Sequence, residues 1–392
     1  MNGTDTGRTI CRLYNRNNNR IIINRSLPLV QAENENKKET RIFRISEENF
    51  DAILDEAAAI IRKGGTVAFP TETVYGLGAD GLNPDAVLKI FEAKERPPGN
   101  PLSLLVHSEE DIRKVAKNIP EKAFRLMDAF WPGPLTIVLE KNDTVPEITS
   151  GNLPSIGLRM PDHRIPLDLV KRAGTPLAAP SANLSGKPSP SLAIHVLADL
   201  EGKINAVIDG GGTAIGLEST VIDMTAEPPA VLRIGAVGID DLEKVIGKVR
   251  PTFTGAETKA GESMPERQAG QKYSHYTPDT QVVLVEGKEE KISEKLGILL
   301  EDYLSKGQKV GLLLSDETAD FFAAKELRAH ECFLLGSRKE PEEAAKRLFE
   351  GLRALDAKGL DVILADGSFS LAGLGAALLN RLREAASVRY VF

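Results

Sequence analysis

Residues 49–69 read NFDAILDEAAAIIRKGGTVAF, a run that holds a helix, its stop signal and a strand. Apolar side chains recur at helical spacing from Phe50 to Ile61, so Asn49 to Arg62 is predicted as an amphipathic helix. Gly64 and Gly65 end it, and Thr66 to Phe69 reads as a short buried strand. A helix that feeds directly into a buried strand is α/β logic, and the chain on both sides extends it.

Downstream, Asn83 caps a helix over Asp85 to Ala93, with Pro84 in its first turn, where a missing N–H costs nothing. Leu102 to Val106 is a strand and Glu109 to Lys117 a helix. Leu135 to Leu139, Ser155 to Arg159, Leu177 to Ala179, Ala206 to Ile208 and Ser219 to Ile222 are further strand candidates. Helices and strands mix without strict alternation, so a mixed, twisted sheet is expected from residue 43 to 248. Scattered Pro, Gly, Thr and Ser make residues 249–280 a long linker, which ends in QKYSHYTP at 271–278. Beyond it the strands Val282 to Val285, Val310 to Leu314, Cys332 to Leu335 and Val362 to Ala365 alternate with helical stretches near 289–305, 340–357 and 374–386. That alternation predicts a smaller, Rossmann-like parallel α/β domain over 281–392. Residues 1–42, with RNNNR at 16–20, have no sustained period and are expected to form a disordered basic tail without a chemical role. A transit peptide fits that tail less well, because Asn rather than Ser dominates.

The 392 residues are 42% hydrophobic and 27% charged, which suits a soluble protein of two or three domains. No run approaches eighteen apolar residues, so no transmembrane helix and no membrane partner are expected. Cys11 and Cys332 lie far apart in unlike segments, which fits a reducing, cytoplasmic setting without a disulfide framework or cysteine metal site. The net charge of −7 is uneven: residues 1–45 hold 9 Lys or Arg against 4 Asp or Glu, and residues 46–250 hold 21 against 29. A main domain this acidic argues against stable nucleic-acid binding.

Chemistry-bearing residues gather in short blocks. Lys94 and Arg96 stand two apart in KERPPGNPL (94–102), on one side of the segment if it is strand-like. Ser181 and Asn183 repeat the spacing in PSAN (180–183). Two cations with a hydroxyl and an amide can hold a polyphosphate, although either pair alone describes a solvated loop. Gly210 to Gly212 lack the Gly-Lys-Ser/Thr of a P-loop, and Gly373-Leu-Gly lacks the third glycine of a dinucleotide fingerprint. None of His107, His163, His195, His275 and His330 has metal-ligand spacing. What recurs is Arg or Lys near Thr, Ser and Asn at strand ends, an inventory for holding anions in fixed geometry.

The chain resembles the threonylcarbamoyl-AMP synthases in their two-domain form, with a YrdC-like domain first. The blocks are PTETVYGLGAD (70–80), KERPPGNPL (94–102), WPGPLT (131–136), GLRMPDH (157–163), PLAAPSANLSGKPSP (176–190), GLESTVID (216–223), LRIG (232–235), QKYSHYTP (271–278) and GLGAALLNRLREAA (373–386). The family usually has Leu-Arg-Pro-Gly where this chain has Leu232-Arg233-Ile234-Gly235, which touches only loop rigidity. The resemblance implies synthesis of threonylcarbamoyl-adenylate from L-threonine, bicarbonate or CO2, and ATP with Mg2+. A separate transferase complex would then modify the tRNA adenosine next to the anticodon. By position, Lys94, Arg96, Ser181 and Asn183 are the implied ATP-phosphate set, with Lys94 and Arg96 catalytic and Arg159 and Arg233 assisting. Thr71, His107, Thr136 and Ser219 match the threonine-binding set, and Tyr75 the same cleft. Tyr273, His275 and Tyr276 match a flap over the cleft, while Mg2+ enters with ATP rather than on protein side chains. The alternatives are an RNA-binding or ribosome-maturation factor and a carbamoyl-handling ATPase relative.

Overall fold

A computed structural model describes residues 39–252 and 276–392. The first strand, β1 (Arg41–Arg44), starts inside the stretch 1–42 expected as tail, because it pairs in parallel with Ala206–Asp209. Helix α1 (Phe50–Arg62) buries Phe50, Leu54, Ala57, Ala58 and Ile61. Leu54 and Ile61 are fully enclosed, and each contributes about 1.5–3 kcal/mol of burial. Asn49 precedes the helix without a side-chain cap and instead accepts a hydrogen bond from the Ser46 amide at 2.7 Å. Gly64, at φ +73°, turns the chain into β2 (Val67–Phe69).

The domain continues through β3 (Gly76–Asp80), α2 (Pro84–Ala93), β4 (Ser103–Leu105), α3 (Glu109–Val115) and α4 (Glu121–Phe130). Next come β5 (Leu135–Glu140), α5 (Glu147–Ser150), β6 (Ser155–Arg159), α6 (Arg164–Ala173), β7 (Leu177–Ala178) and α7 (Ala193–Leu200). It closes with β8 (Ala206–Asp209), β9 (Thr220–Asp223), β10 (Ala230–Arg233), α8 (Ile239–Ile246) and β11 (Arg250–Pro251). The sheet runs β1-β8-β2-β3-β7-β4-β6-β5-β9-β10-β11. Five of its ten neighbouring pairs are parallel, so it is mixed as expected. The period-2 rule separates its faces. Val67, Phe69, Ala206 and Ile208 join the core under α1 and α6, whereas Ala68 and Val207 join the core that includes Val87, Ile90 and Leu126 of α2 and α4.

The second domain is β12 (Gln281–Glu286), α9 (Glu289–Ser305), β13 (Val310–Ser315), α10 (Asp316–Ala324), β14 (Glu331–Gly336), α11 (Pro341–Asp356), β15 (Val362–Gly367), α12 (Gly373–Ala385) and β16 (Val388–Val391). Every pair in its sheet, ordered β14-β13-β15-β12-β16, is parallel. The alternation read from the sequence includes neither α10 nor β16.

The two domains share apolar surface. Val74, Leu217 and Ile234 of the first pack into the core formed by Leu348, Phe349, Leu378 and Leu382 of the second. Gly216, at φ +79°, makes the approach possible, since a Cβ there would stand 2.4 Å from the Lys346 Cα. Two arginines cross the same boundary. Arg353 of α11 pairs with Asp199, and Arg381 of α12 pairs with Glu218.

Candidate active site

Lys94 and Arg96 do not sit on an extended segment. Helix α2 ends at Ala93, Lys94 has helical torsions (φ −83°), and Glu95 is left-handed at φ 50°. The amides of Glu95 and Arg96 bond back to the carbonyls of Glu92 (3.1 Å) and Phe91 (2.9 Å). This is a Schellman closure with glutamate where glycine is usual. It turns the two cations through different angles. Arg96 reaches a cavity of about 560 Å3, while Lys94 is buried behind that cavity's wall and is not among its lining residues. The Lys94 Nζ donates to the carbonyls of Ser181 and Asn183 (2.6 Å to Asn183).

The cavity brings together ten of the residues singled out from sequence: Thr71, Tyr75, Arg96, Thr136, Arg159, Ser181, Asn183, Ser219, Arg233 and Tyr276. The hydroxyl side is preorganised. Thr136 Oγ1 and Ser219 Oγ are 2.8 Å apart, and Arg233 donates to Ser219 Oγ at 3.2 Å and to the Ser219 carbonyl at 3.0 Å. Thr71 Oγ1 donates to the Val74 carbonyl at 2.7 Å and accepts from the Thr73 amide at 3.1 Å. Tyr75 donates to the Gly211 carbonyl at 2.6 Å, and burial, reinforced by Asp209, raises its pKa and keeps the phenol neutral.

His107 is left out: it pairs with Asp111 at the start of α3 and does not line the cavity. Tyr273 and His275 lie outside the described residues. Tyr276, buried and left-handed at φ 61°, packs on Phe349 of the second domain with ring centroids 5.1 Å apart. The next amide, of Thr277, donates to the Gly186 carbonyl at 2.8 Å.

The electrostatics favour an anionic ligand. Burial lowers the Arg96 pKa to about 10, so it remains a cation at neutral pH with little water around it. Burial, then the neighbouring Arg96, brings the Lys94 pKa well below the usual lysine value. Arg159 Nη2 stands 2.5 Å from Glu72 Oε2, but these atoms are not aligned as a hydrogen bond. Asn183 donates through Nδ2 to the carbonyls of Leu184 and Lys187, leaving its buried Oδ1 without a partner. Orphaned polar atoms in a polar cavity are what a ligand would satisfy.

Two family profiles cover the chain. One, described as "Telomere recombination", matches residues 59–235; the other, described as "Threonylcarbamoyl-AMP synthase, C-terminal domain", matches residues 237–387. The threonylcarbamoyl-AMP synthase of Pyrococcus abyssi is 46% identical over 337 residues, 86% of this chain and 94% of that one. That of Bacillus subtilis is 41% identical over 343 residues, 87% and 95% of the two chains. The chain belongs to the threonylcarbamoyl-AMP synthase family. Its fold agrees with the crystal structure of Pyrococcus abyssi Sua5 complexed with L-threonine, at a TM-score of 0.79 and 44% identity over 90% of this chain and 99% of that one. It is therefore an enzyme of the nucleotidyltransferase type.

Several cavity residues were not named from sequence. Glu218 lines the wall, accepts from Ser189 Oγ, and is held by Arg381 Nε at 2.7 Å. Burial opposes its charge, but Arg381 and Arg233 outweigh that and lower its pKa. Asn380 and Glu384 enter from α12, and burial raises the Glu384 carboxyl above the usual carboxylate range. The only sequence signals for them were the blocks GLESTVID and GLGAALLNRLREAA.

Proposed function

We propose that the cavity condenses L-threonine, bicarbonate or CO2, and ATP to threonylcarbamoyl-adenylate and diphosphate. The product would serve a separate transferase complex that modifies the tRNA adenosine next to the anticodon, in the cytoplasm. The observation that carries this reading is one 560 Å3 cavity lined by the Thr71, Thr136 and Ser219 hydroxyls together with Arg96, Ser181 and Asn183. A relative 44% identical is known complexed with L-threonine.

In this reading Thr71, Thr136 and Ser219 hold threonine, while Arg233 steadies Ser219 and offers its charge to an anionic group. Arg96, Ser181 and Asn183 take the ATP phosphates, assisted by Arg159, and Lys94 supports them from behind by fixing two carbonyls of the loop. A carbamate oxygen attacks the α-phosphorus, an O–P bond forms, the bond to the bridging oxygen breaks, and diphosphate leaves with the electron pair. Attacker and phosphate are both anions, so orientation and charge screening are the main tasks, and orientation supplies about 7–11 kcal/mol. No protein nucleophile is required. The carboxylates do not make a metal cage: no cluster of three metal-ligating side chains occurs among the described residues, and Glu218 is bound to Ser189 and Arg381. In this reading Mg2+ enters with ATP, where it would neutralise phosphate charge. No helix among the described residues is long and apolar enough to cross a membrane.

The test is diphosphate release with MgATP, adding L-threonine and bicarbonate singly and together. Release that needs both, with a threonylcarbamoyl-adenylate mass among the products, is the expected result. Release that ignores threonine would remove the assignment of Thr71, Thr136 and Ser219.

A further inference from the structure

We propose that Arg353 in the second domain is a positioning residue for the cavity, holding the 181–189 wall in its ligand-binding form. The proposal rests on the reading that this wall takes the ATP phosphates.

Ser181, Asn183, Gly186, Lys187 and Ser189 all line the cavity, yet no helix or strand runs through them. Their own domain ties the ends of the segment. The Ala182 amide bonds to the Tyr75 carbonyl, and the Tyr75 amide to the Pro190 carbonyl, both at 2.8 Å. Between these ends lie Gly186, at φ +90°, and backbone with no ladder. The middle is held by the Ser185 amide to the Lys94 carbonyl (2.9 Å), the Leu184 amide to Asp199 Oδ2 (3.2 Å), the Thr277 amide to the Gly186 carbonyl (2.8 Å), and the side-chain bonds of Asn183 and Ser189 described above.

Arg353 grips both halves of that middle. Its guanidinium meets Asp199 in a fork, Nη1 to Oδ1 at 3.1 Å and Nη2 to Oδ2 at 2.7 Å, and Nε donates to the Pro188 carbonyl at 3.1 Å. The side chains of Arg353 and Asp199 are 13% and 9% exposed, so water screens the pair little. One planar group thus fixes Leu184 through Asp199 and fixes Pro188 directly. Removing it leaves a buried carboxylate and a carbonyl without that donor, and loosens the segment whose carbonyls also seat Lys94. The second domain accordingly shapes phosphate binding without touching the phosphate.

The test compares full-length wild type, Arg353→Ala, Arg353→Lys and Asp199→Asn. Arg353→Ala is expected to raise KM for ATP roughly tenfold while KM for threonine stays unchanged, the loss of one buried charge-assisted contact set. Arg353→Lys keeps the charge but not the fork and should recover only part of it. Amide hydrogen exchange should accelerate in residues 181–189 of Arg353→Ala more than elsewhere in the first domain. A merely structural role would lower the melting temperature and the active fraction with KM for ATP untouched, and that outcome overturns the proposal. Unchanged exchange in 181–189 overturns it too, even if Arg353→Ala folds poorly and only Asp199→Asn can be assayed. Wild type lacking threonine-dependent diphosphate release would instead refute the functional reading, and exchange alone would then decide on Arg353.

Discussion

Replacing Arg381 with methionine tests how the second domain is held against the cavity. Arg381 has no solvent exposure, its Nε lies 2.7 Å from Glu218 Oε2, and its guanidinium carbon sits 5.5 Å from the Tyr276 ring centroid. Methionine fills much of the volume but leaves the Glu218 charge buried. Breaking such a pair costs about 3–5 kcal/mol. Arg233 also draws on Glu218, so the lower end, about 3 kcal/mol, is expected. Glu218→Gln alone removes the ion-pair partner of Arg381, whose Nη1 still donates to Asn380 Oδ1 at 2.7 Å, and should cost a similar amount. The double variant buries neither charge, so it should be more stable than the sum of the two losses predicts by about 2 kcal/mol. Trp131 is the only tryptophan and lies in the first domain, so its fluorescence during urea unfolding follows that domain while circular dichroism follows both. Single-variant losses that add within about 0.5 kcal/mol in the double would refute charge pairing as the reason for the contact.

Lys94→Met removes the donor to the carbonyls of Ser181 and Asn183, and should cut kcat/KM for ATP about 100-fold, matching roughly 1–3 kcal/mol for each unsatisfied group. Full activity in steady-state diphosphate release would exclude the role. Gly216→Ala forces a methyl onto the Lys346 backbone and an unfavourable left-handed torsion; a loss of roughly 1–3 kcal/mol is expected. Gly247→Ala, at φ +78° with open space around it, should show only the torsional part when melting temperatures are compared. Burial, reinforced by Arg353, holds the His195 pKa down to about 4 against an ordinary 6.5. Between those values the unfolded chain binds a proton that the native protein does not, so stability falls as pH drops from 6.5 to 4, by about 3 kcal/mol at most. Urea midpoints across that range, compared with His195→Gln, check the slope; equal slopes would refute it.

Local chemistry made some of the architecture readable. Asn83 and Pro84 open α2 as their capping roles require, with the Asn83 side chain accepting from the amides of Asp85 and Ala86. The Val/Leu runs at β12, β13 and β15 are buried throughout their centres, so their composition alone announces them. Strand β3, GLGAD, was missed because glycine is a poor strand former, and its pairing with β2 and β7 supplies what propensity does not. The cavity was legible as an inventory of residues but not as a geometry. Lys94 and Arg96 part ways because Glu95 turns left-handed, which a two-residue spacing cannot foretell. Arg353, Arg381 and Glu384 act across the domain boundary, and no local period in α11 or α12 distinguishes an inward arginine from a solvated one.

The cavity wall runs from Thr71 to Glu384 along the chain. During translation the first domain can condense as soon as β11 has emerged, since domains fold as units in order of synthesis. Its cavity then still lacks one side, because α12 is made more than a hundred residues later. A nascent chain would thus hold the hydroxyl shelf and the cationic loop open to water until the last helix docks. Synthesis order itself therefore delays a closed chamber until nearly the whole chain has been made.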